Sequence, residues 1–265
     1  MLGAIIGDIA GSIYEFHNQR SKDFVMMSDN CTFTDDTIMT CAIAEAVMHY
    51  KTSGGDLGRY AVHSMVEYGK MYPNAGYGGN FFDWLFSPQH EPYNSYGNGA
   101  AMRVSPCGYA ADTLQDALWM AEKVTEVTHN HPDAINSSKA IAGTIFLARH
   151  GNSKEELREF WKMHDLNPSF TLDEIRHTYT FDVSCDGSVP EALEAFIEGT
   201  NFEQVIRCAI SIGGDSDTIA NIAGGIAAAY EDIPQELENR AFDFLDAHLT
   251  GVVREFEHRY PRRIC

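Results

Sequence analysis

Residues 2–15 read LGAIIGDIAGSIYE. Gly3, Gly7 and Gly11 recur at every fourth position, which on a helix sets them on one face and bares a strip of backbone. Such a strip invites close approach by another helix, so the segment predicts an α-helix at a tight crossing. Helical periodicity then dominates outward from it. Residues 36–50 (DTIMTCAIAEAVMHY) read as an apolar helix opened by TDDT. Further helices are expected at 56–70, 113–127, 132–150, 153–163, 188–198, 201–212, 216–230 and 235–248. Alternating patterns are nearly absent, and TYTFDVS (178–184) is the best strand candidate. The expected fold class is all-α, a single compact multi-helix bundle over residues 1–265. No composition break and no internal repeat divides it. Residues 73–110 stand apart, rich in Gly, Asn, Pro, Tyr and Ser, and long irregular segments of this kind are often functional.

Hydrophobic residues make up 44% and charged residues 22%, which argues for a globular chain rather than disorder. The net charge of -19 repels a phosphate backbone and speaks against general nucleic-acid binding. The cationic residues are scattered, apart from Arg259, Arg262 and Arg263. Asp8 interrupts the apolar run at the start and no basic segment precedes it, so a signal peptide is not expected. No stretch reaches transmembrane length without charges. Cys31, Cys41, Cys107, Cys185, Cys208 and Cys265 are widely spread with no C-x-x-C pair, as free thiols in a reducing cytoplasm would be.

Two short acidic segments precede apolar helices: Thr34-Asp35-Asp36-Thr37 and Gly213-Gly214-Asp215-Ser216-Asp217-Thr218. Either alone reads as a helix cap, since Asp, Ser and Thr accept hydrogen bonds from free N–H groups. Together their four carboxylates exceed what capping requires, and like charges in proximity need neutralisation. Divalent cations with octahedral oxygen coordination supply it, and a binuclear centre drawing on both segments would outweigh the unfavourable helix dipole. Ser95-Tyr96-Gly97-Asn98-Gly99-Ala100-Ala101-Met102-Arg103 is either a Gly/Asn turn before a helix or a loop whose amides cradle phosphate. In Thr128-His129-Asn130-His131-Pro132 the histidine pair lacks a third ligand for zinc, and Pro132 near the first helical position suits a helix-entry turn. Glu15 alone reads as a solvated charge.

Taken in order, GAIIGDIAGSIYE, FTDDTIM, SYGNGAAMRVSP, TH followed by a helix, and ISIGGDSDTIANIAGGIAAAY resemble the ADP-ribosylglycohydrolase family across residues 3–230. The resemblance implies an all-α bundle with a binuclear Mg²⁺ cleft, Mn²⁺ being an equal fit to the same oxygen donors. By resemblance Thr34, Asp35, Asp36, Asp215, Asp217 and Thr218 would be metal ligands. The loop Ser95, Tyr96, Gly97, Asn98 and Gly99 would wrap the diphosphate, and His129 would lie beside the ADP-ribose. Glu15 would sit on a mobile segment near the scissile bond, in a gating or acid–base role, while Asp35 and Asp36 would order water. Met102 and Arg103 match the pattern as structural residues. One departure is Ser216, where many members carry Thr; the hydroxyl is kept.

The implied activity is Mg²⁺-dependent hydrolysis of the glycosidic bond between ADP-ribose and an acceptor, releasing ADP-ribose. The acceptor, a protein Arg or Ser, a nucleic acid or a small molecule, is left open, as is the oligomeric state. The alternatives are a Mg²⁺-dependent nucleotide phosphohydrolase and a non-catalytic ADP-ribose-binding or structural protein on the same fold. Release of phosphate would mark the first, and affinity without turnover the second.

Overall fold

The computed structural model describes residues 1–262. Its helices run α1 (Leu2–Gly11), α2 (Asp35–Ser53), α3 (Leu57–Met71), α4 (Gly79–Phe86), α5 (Gly99–Met102), α6 (Ser105–Ala110), α7 (Leu114–Thr125) and α8 (Pro132–Arg149). They continue with α9 (Lys154–Lys162), α10 (Leu172–Ile175), α11 (Val189–Glu198), α12 (Phe202–Ile210), α13 (Ser216–Tyr230), α14 (Gln235–Phe244) and α15 (Ala247–Arg259). Among the described residues there is no extended strand; residues 178–184 contribute one isolated bridge, Ser184 to Gly97. The five cysteines from Cys31 to Cys208 are free and buried, while Arg263 and Cys265 lie outside the described residues.

The glycine strip meets α13. A Cβ on Gly3 would stand 2.3 Å from the Gly224 carbonyl oxygen, one on Gly7 2.0 Å from that of Ala220, and one on Gly11 2.5 Å from the Asp217 Cα. Any side chain there would strike backbone, so the two helices run in direct main-chain contact at the middle of the bundle. Every residue of α1 is buried, as is every residue of α13 before Tyr230. Leu2, Ile5, Ile6 and Ile9 each contribute about 1.5–3 kcal/mol of apolar burial. Around this pair α2 packs on α1, and α8, α11 and α12 pack on α13. Glu257 of α15 ties down the start of α1, accepting from the Met1 amine and the Leu2 amide, both at 3.0 Å.

Three boundaries differ from the sequence expectation, each for a local reason. The first helix stops at Gly11, not residue 15. The Ser12 hydroxyl donates back to the Ile9 carbonyl (2.9 Å) and accepts from the Thr32 amide (3.1 Å), which anchors the chain as it leaves the helix. Residues 73–110 are not irregular throughout: Phe81, Trp84 and Leu85 form a buried stripe at helical spacing in α4, within a stretch of turn-forming composition. The expected helix at 235–248 is two helices, because Asp246 accepts from the Leu249 amide (2.9 Å) and starts α15. No helix among the described residues is long and apolar enough to cross a membrane.

Candidate active site

The α1–α13 contact sets Asp8 against the start of α2. Thr34, in extended conformation, caps that helix by accepting from the Asp36 amide at 3.2 Å. Its own amide and hydroxyl donate to the two Asp8 carboxylate oxygens, at 3.0 and 2.7 Å. The Thr37 amide (3.0 Å) and hydroxyl also donate to Asp8. At this helix start the Asp35 amide donates to the Ala75 carbonyl (3.0 Å), the Asp36 amide to Thr34 and the Thr37 amide to Asp8, so the Asp35 and Asp36 carboxylates are not spent on capping. Sequence reasoning missed this residue. Its one signal was a carboxylate in the middle of an otherwise apolar glycine helix.

The start of α13 is built differently. Gly213 and Gly214 hold left-handed φ values of 69° and 73°, and a Cβ on Gly214 would fall 2.2 Å from the Tyr179 ring. Asp215, at the capping position, makes no capping bond. Its Oδ2 instead accepts from Asn98 Nδ2 at 2.6 Å, and Asn98 also donates to Ser188 Oγ at 2.9 Å. The Thr218 hydroxyl donates to Asp36 Oδ2 at 3.2 Å, joining the two acidic segments directly.

Glu15 completes the cluster. One carboxylate oxygen from each of Glu15, Asp215 and Asp217 lies within 4.8 Å of the others. Burial is the first cause of every shift here. It pushes the Asp35 carboxyl up to about 8, with Asp8 and Asp215 adding to the effect. It pushes Glu15 up to about 7, helped by Asp215 and Asp8, and raises Asp36, Asp215 and Asp217 as well. Asp36 Oδ1 and Asp217 Oδ1 are buried without a hydrogen-bond partner. Unpartnered carboxylate oxygens among converging acids are a costly arrangement that a hard divalent cation relieves. The donor set therefore fits such a cation.

The loop expected to hold phosphate is stitched to this cluster. The Asn98 amide donates to the Val183 carbonyl (2.8 Å), the Cys185 amide to the Tyr96 carbonyl (2.9 Å), and the Gly97 amide to Ser95 Oγ (3.2 Å). Tyr96 is 59% exposed, its ring against His131. His131 caps α8 by accepting from the Asp133 amide, as a helix-entry turn requires, and takes no part in a metal cluster among the described residues. His129 is buried behind the loop: a Cβ on Gly97 or Gly99 would lie 3.6 or 3.4 Å from its Nε2. Glu15 stands on a turn held at both ends, by Ser12 and by Asn18, whose Oδ1 accepts from the Gly214 amide at 2.7 Å. Between these anchors Phe16 is 76% exposed and stacks on Phe181, centroids 5.9 Å apart. Asn18 and Ser188 gave no signal in the sequence, because each acts on a partner ninety or more residues away.

A model of the ADP-ribosylglycohydrolase family matches residues 1–262, and the chain belongs to that family. It is a glycohydrolase enzyme. Among its relatives, ADP-ribosylhydrolase ARH3 of Xenopus tropicalis is 25% identical over all of this chain and 95% of its own length. The Homo sapiens ARH3 is 25% identical over 98% of this chain and 92% of its own. ADP-ribosylarginine hydrolase Tri1 of Pseudomonas putida (strain GB-1) is 25% identical over 99% of this chain and 78% of its own. A solved ADP-ribosylglycohydrolase-related protein complex superposes with a TM-score of 0.70 at 22% identity, covering 97% of this chain and 96% of that one, and shares the fold.

Proposed function

We propose that the enzyme hydrolyses the C1″ glycosidic bond of an ADP-ribosylated acceptor and releases ADP-ribose. The observation that carries the reading is the Glu15–Asp215–Asp217 carboxylate cluster fastened through Asn98 to the glycine loop. Thr34, Asp35, Asp36, Asp215, Asp217 and Thr218 would hold two divalent ions, Mg²⁺ or Mn²⁺. When bound, such ions neutralise the carboxylates and supply Lewis-acid activation of water. The chain's own residues do the rest. Ser95 to Gly99 and His129 bind the diphosphate half and fix the reacting sugar, a positioning effect worth several kcal/mol. Asp35 and Asp36 orient the attacking water. Glu15, beside Asp215 and Asp217, would pass a proton to the departing acceptor atom and regain one from the attacking water. The net charge of -19 favours a cationic acceptor, ADP-ribosylated arginine, over nucleic acid.

The test is calorimetric titration of ADP-ribose with Mg²⁺ and then with EDTA, followed by product analysis on ADP-ribosylated peptides. Metal-dependent binding and free ADP-ribose as product are expected; inorganic phosphate as product would replace this reading with phosphohydrolysis. Glu15→Gln should lower kcat by about 10²–10⁴ while leaving ADP-ribose affinity nearly intact. A fully active variant would remove Glu15 from proton transfer.

A further inference from the structure

Arg103 is among the largest fully buried side chains in the protein, 1% exposed at the end of α5. No carboxylate pairs with it among the described residues' salt bridges. Its guanidinium lies over the Phe81 ring at 5.5 Å, and Nη2 donates to Thr128 Oγ1 at 2.6 Å. Burial brings its pKa down to about 10, so it stays a cation at neutral pH. A buried, unpaired cation is costly and requires a use. Its polar neighbour beyond Thr128 is His129, whose Nδ1 lies 2.7 Å from Thr128 Oγ1 and 3.5 Å from Arg103 Nη2.

These distances favour one placement of the protons. Thr128 Oγ1 accepts from Arg103, and its own proton has two acceptors within reach: His129 Nδ1 at 2.7 Å and the Thr125 carbonyl at 3.5 Å. A proton on Nδ1 would face the Arg103 guanidinium, whose Nη2 is 3.5 Å away, and would push the Thr128 hydroxyl proton onto the long bond to Thr125. A bare Nδ1 takes the short bond and leaves the ring proton on Nε2. Burial and the Arg103 charge both hold the ring pKa well below the usual histidine range, so the ring is neutral. Nε2 faces Gly97 and Gly99 on the opposite edge. The frame around it is stitched as well: the Tyr93 amide donates to the Thr128 carbonyl (3.1 Å) and the Asn94 amide to Asn130 Oδ1 (2.7 Å).

We propose that Arg103 and Thr128 are positioning residues that lock His129 in the neutral Nε2–H tautomer, so that the Ser95–Gly99 loop gains a side-chain N–H donor for the diphosphate of ADP-ribose. The ligand half of this inference rests on the proposed function; the lock itself is a property of the free protein. A neutral donor suits the place. It binds the anion in ground state and transition state alike, so its loss raises KM and spares kcat.

The experiment is ¹⁵N NMR of the His129 ring, assigned by difference against His129→Gln, for the metal-free and ligand-free protein, with ADP-ribose titrations of the Mg²⁺-loaded protein run in parallel. The wild type should show a single tautomer protonated at Nε2. Thr128→Val should populate the Nδ1–H form, weaken ADP-ribose binding about tenfold and raise KM with kcat within about twofold. Thr128→Ser, which keeps the hydroxyl, should restore all three. Arg103→Met should also admit the Nδ1–H form. A wild-type ring protonated at Nδ1 overturns the lock, as does an unchanged tautomer in folded Thr128→Val. A wild type that binds no ADP-ribose would sink the functional reading, and with it the donor role, while the lock is still read from the spectrum.

Discussion

At the start of α2 a threonine caps the helix and a carboxylate from α1 backs it; at the start of α13 the capping position is an aspartate that caps nothing. The two segments look alike in sequence, Thr-Asp-Asp-Thr and Asp-Ser-Asp-Thr. In the first, Asp8 accepts four donors and frees Asp35 and Asp36. In the second, Asp215 follows two left-handed glycines, leaves the backbone uncapped and accepts from Asn98 instead. The difference shows how a fold makes a crowded acidic cleft: the acids are kept from capping, at one helix start by a borrowed carboxylate and at the other by leaving the side-chain cap unmade.

The largest blow to the borrowed support is Gly7→Val. Its side chain would enter the Ala220 backbone, separate α1 from α13 and carry Asp8 off α2, at a cost of about 4 kcal/mol or loss of folding. Urea unfolding would measure it; a near-neutral change would deny that the contact is as close as described. Asp8→Ala should cost about 3 kcal/mol, since it leaves buried donors at Thr34 and Thr37 without acceptors, and it should weaken Mg²⁺ binding by disordering the α2 side. Asp217→Asn acts in the opposite sense. In EDTA it should raise stability, because a buried carboxyl crowded by Asp215 and Glu15 is removed. It should also abolish the stabilisation that Mg²⁺ gives the wild type and reduce ADP-ribose affinity with little change in helicity. A variant equally stabilised by Mg²⁺ would take Asp217 out of the site.

The smallest effect tests burial without a cleft. Glu191, in α11, is a buried carboxylate with an unpartnered Oε2, pushed up to about 7 by burial and by Asp182. A carboxyl raised in the folded state contributes stability that is complete below its unfolded value of 4.5 and is lost as pH climbs through about 7. Glu191→Gln should therefore match the wild type at acid pH and exceed it by about 1 kcal/mol near pH 9 in thermal unfolding. Parallel curves at every pH would show that the site acids owe their shifts to something other than burial.

Helix positions were legible because apolar residues recur at helical spacing, and a tight crossing at α1 because Gly3, Gly7 and Gly11 bare its backbone; that α13 is the partner was not legible. The two acidic segments were legible because they exceed the needs of a cap. Asp8 was not: a lone carboxylate in an apolar run names no partner, and its partner Thr34 lies 26 residues away. α4 was hidden because its buried stripe of Phe81, Trp84 and Leu85 sits between glycines and prolines that signal turns. The exit of the chain at Ser12, which puts Glu15 on a turn, depends on a hydrogen bond from Thr32 that no local pattern encodes.

The glycine seam between α1 and α13 also sets a timetable. Gly7 waits for Ala220, roughly 210 residues later in the chain, before its face is covered. At ordinary elongation rates that is a delay of about 10–40 s, during which an apolar helix with a bare backbone strip has no native neighbour on that side. Contacts so distant along the chain slow folding, because the ends of a long loop must be brought together before anything is gained. No nascent fragment can assemble the whole cleft, since Asp35 and Asp36 are made early and Asp215 and Asp217 late. The enzyme thus acquires its chemistry late and all at once, and its newborn chain depends on whatever shelters α1 in the meantime.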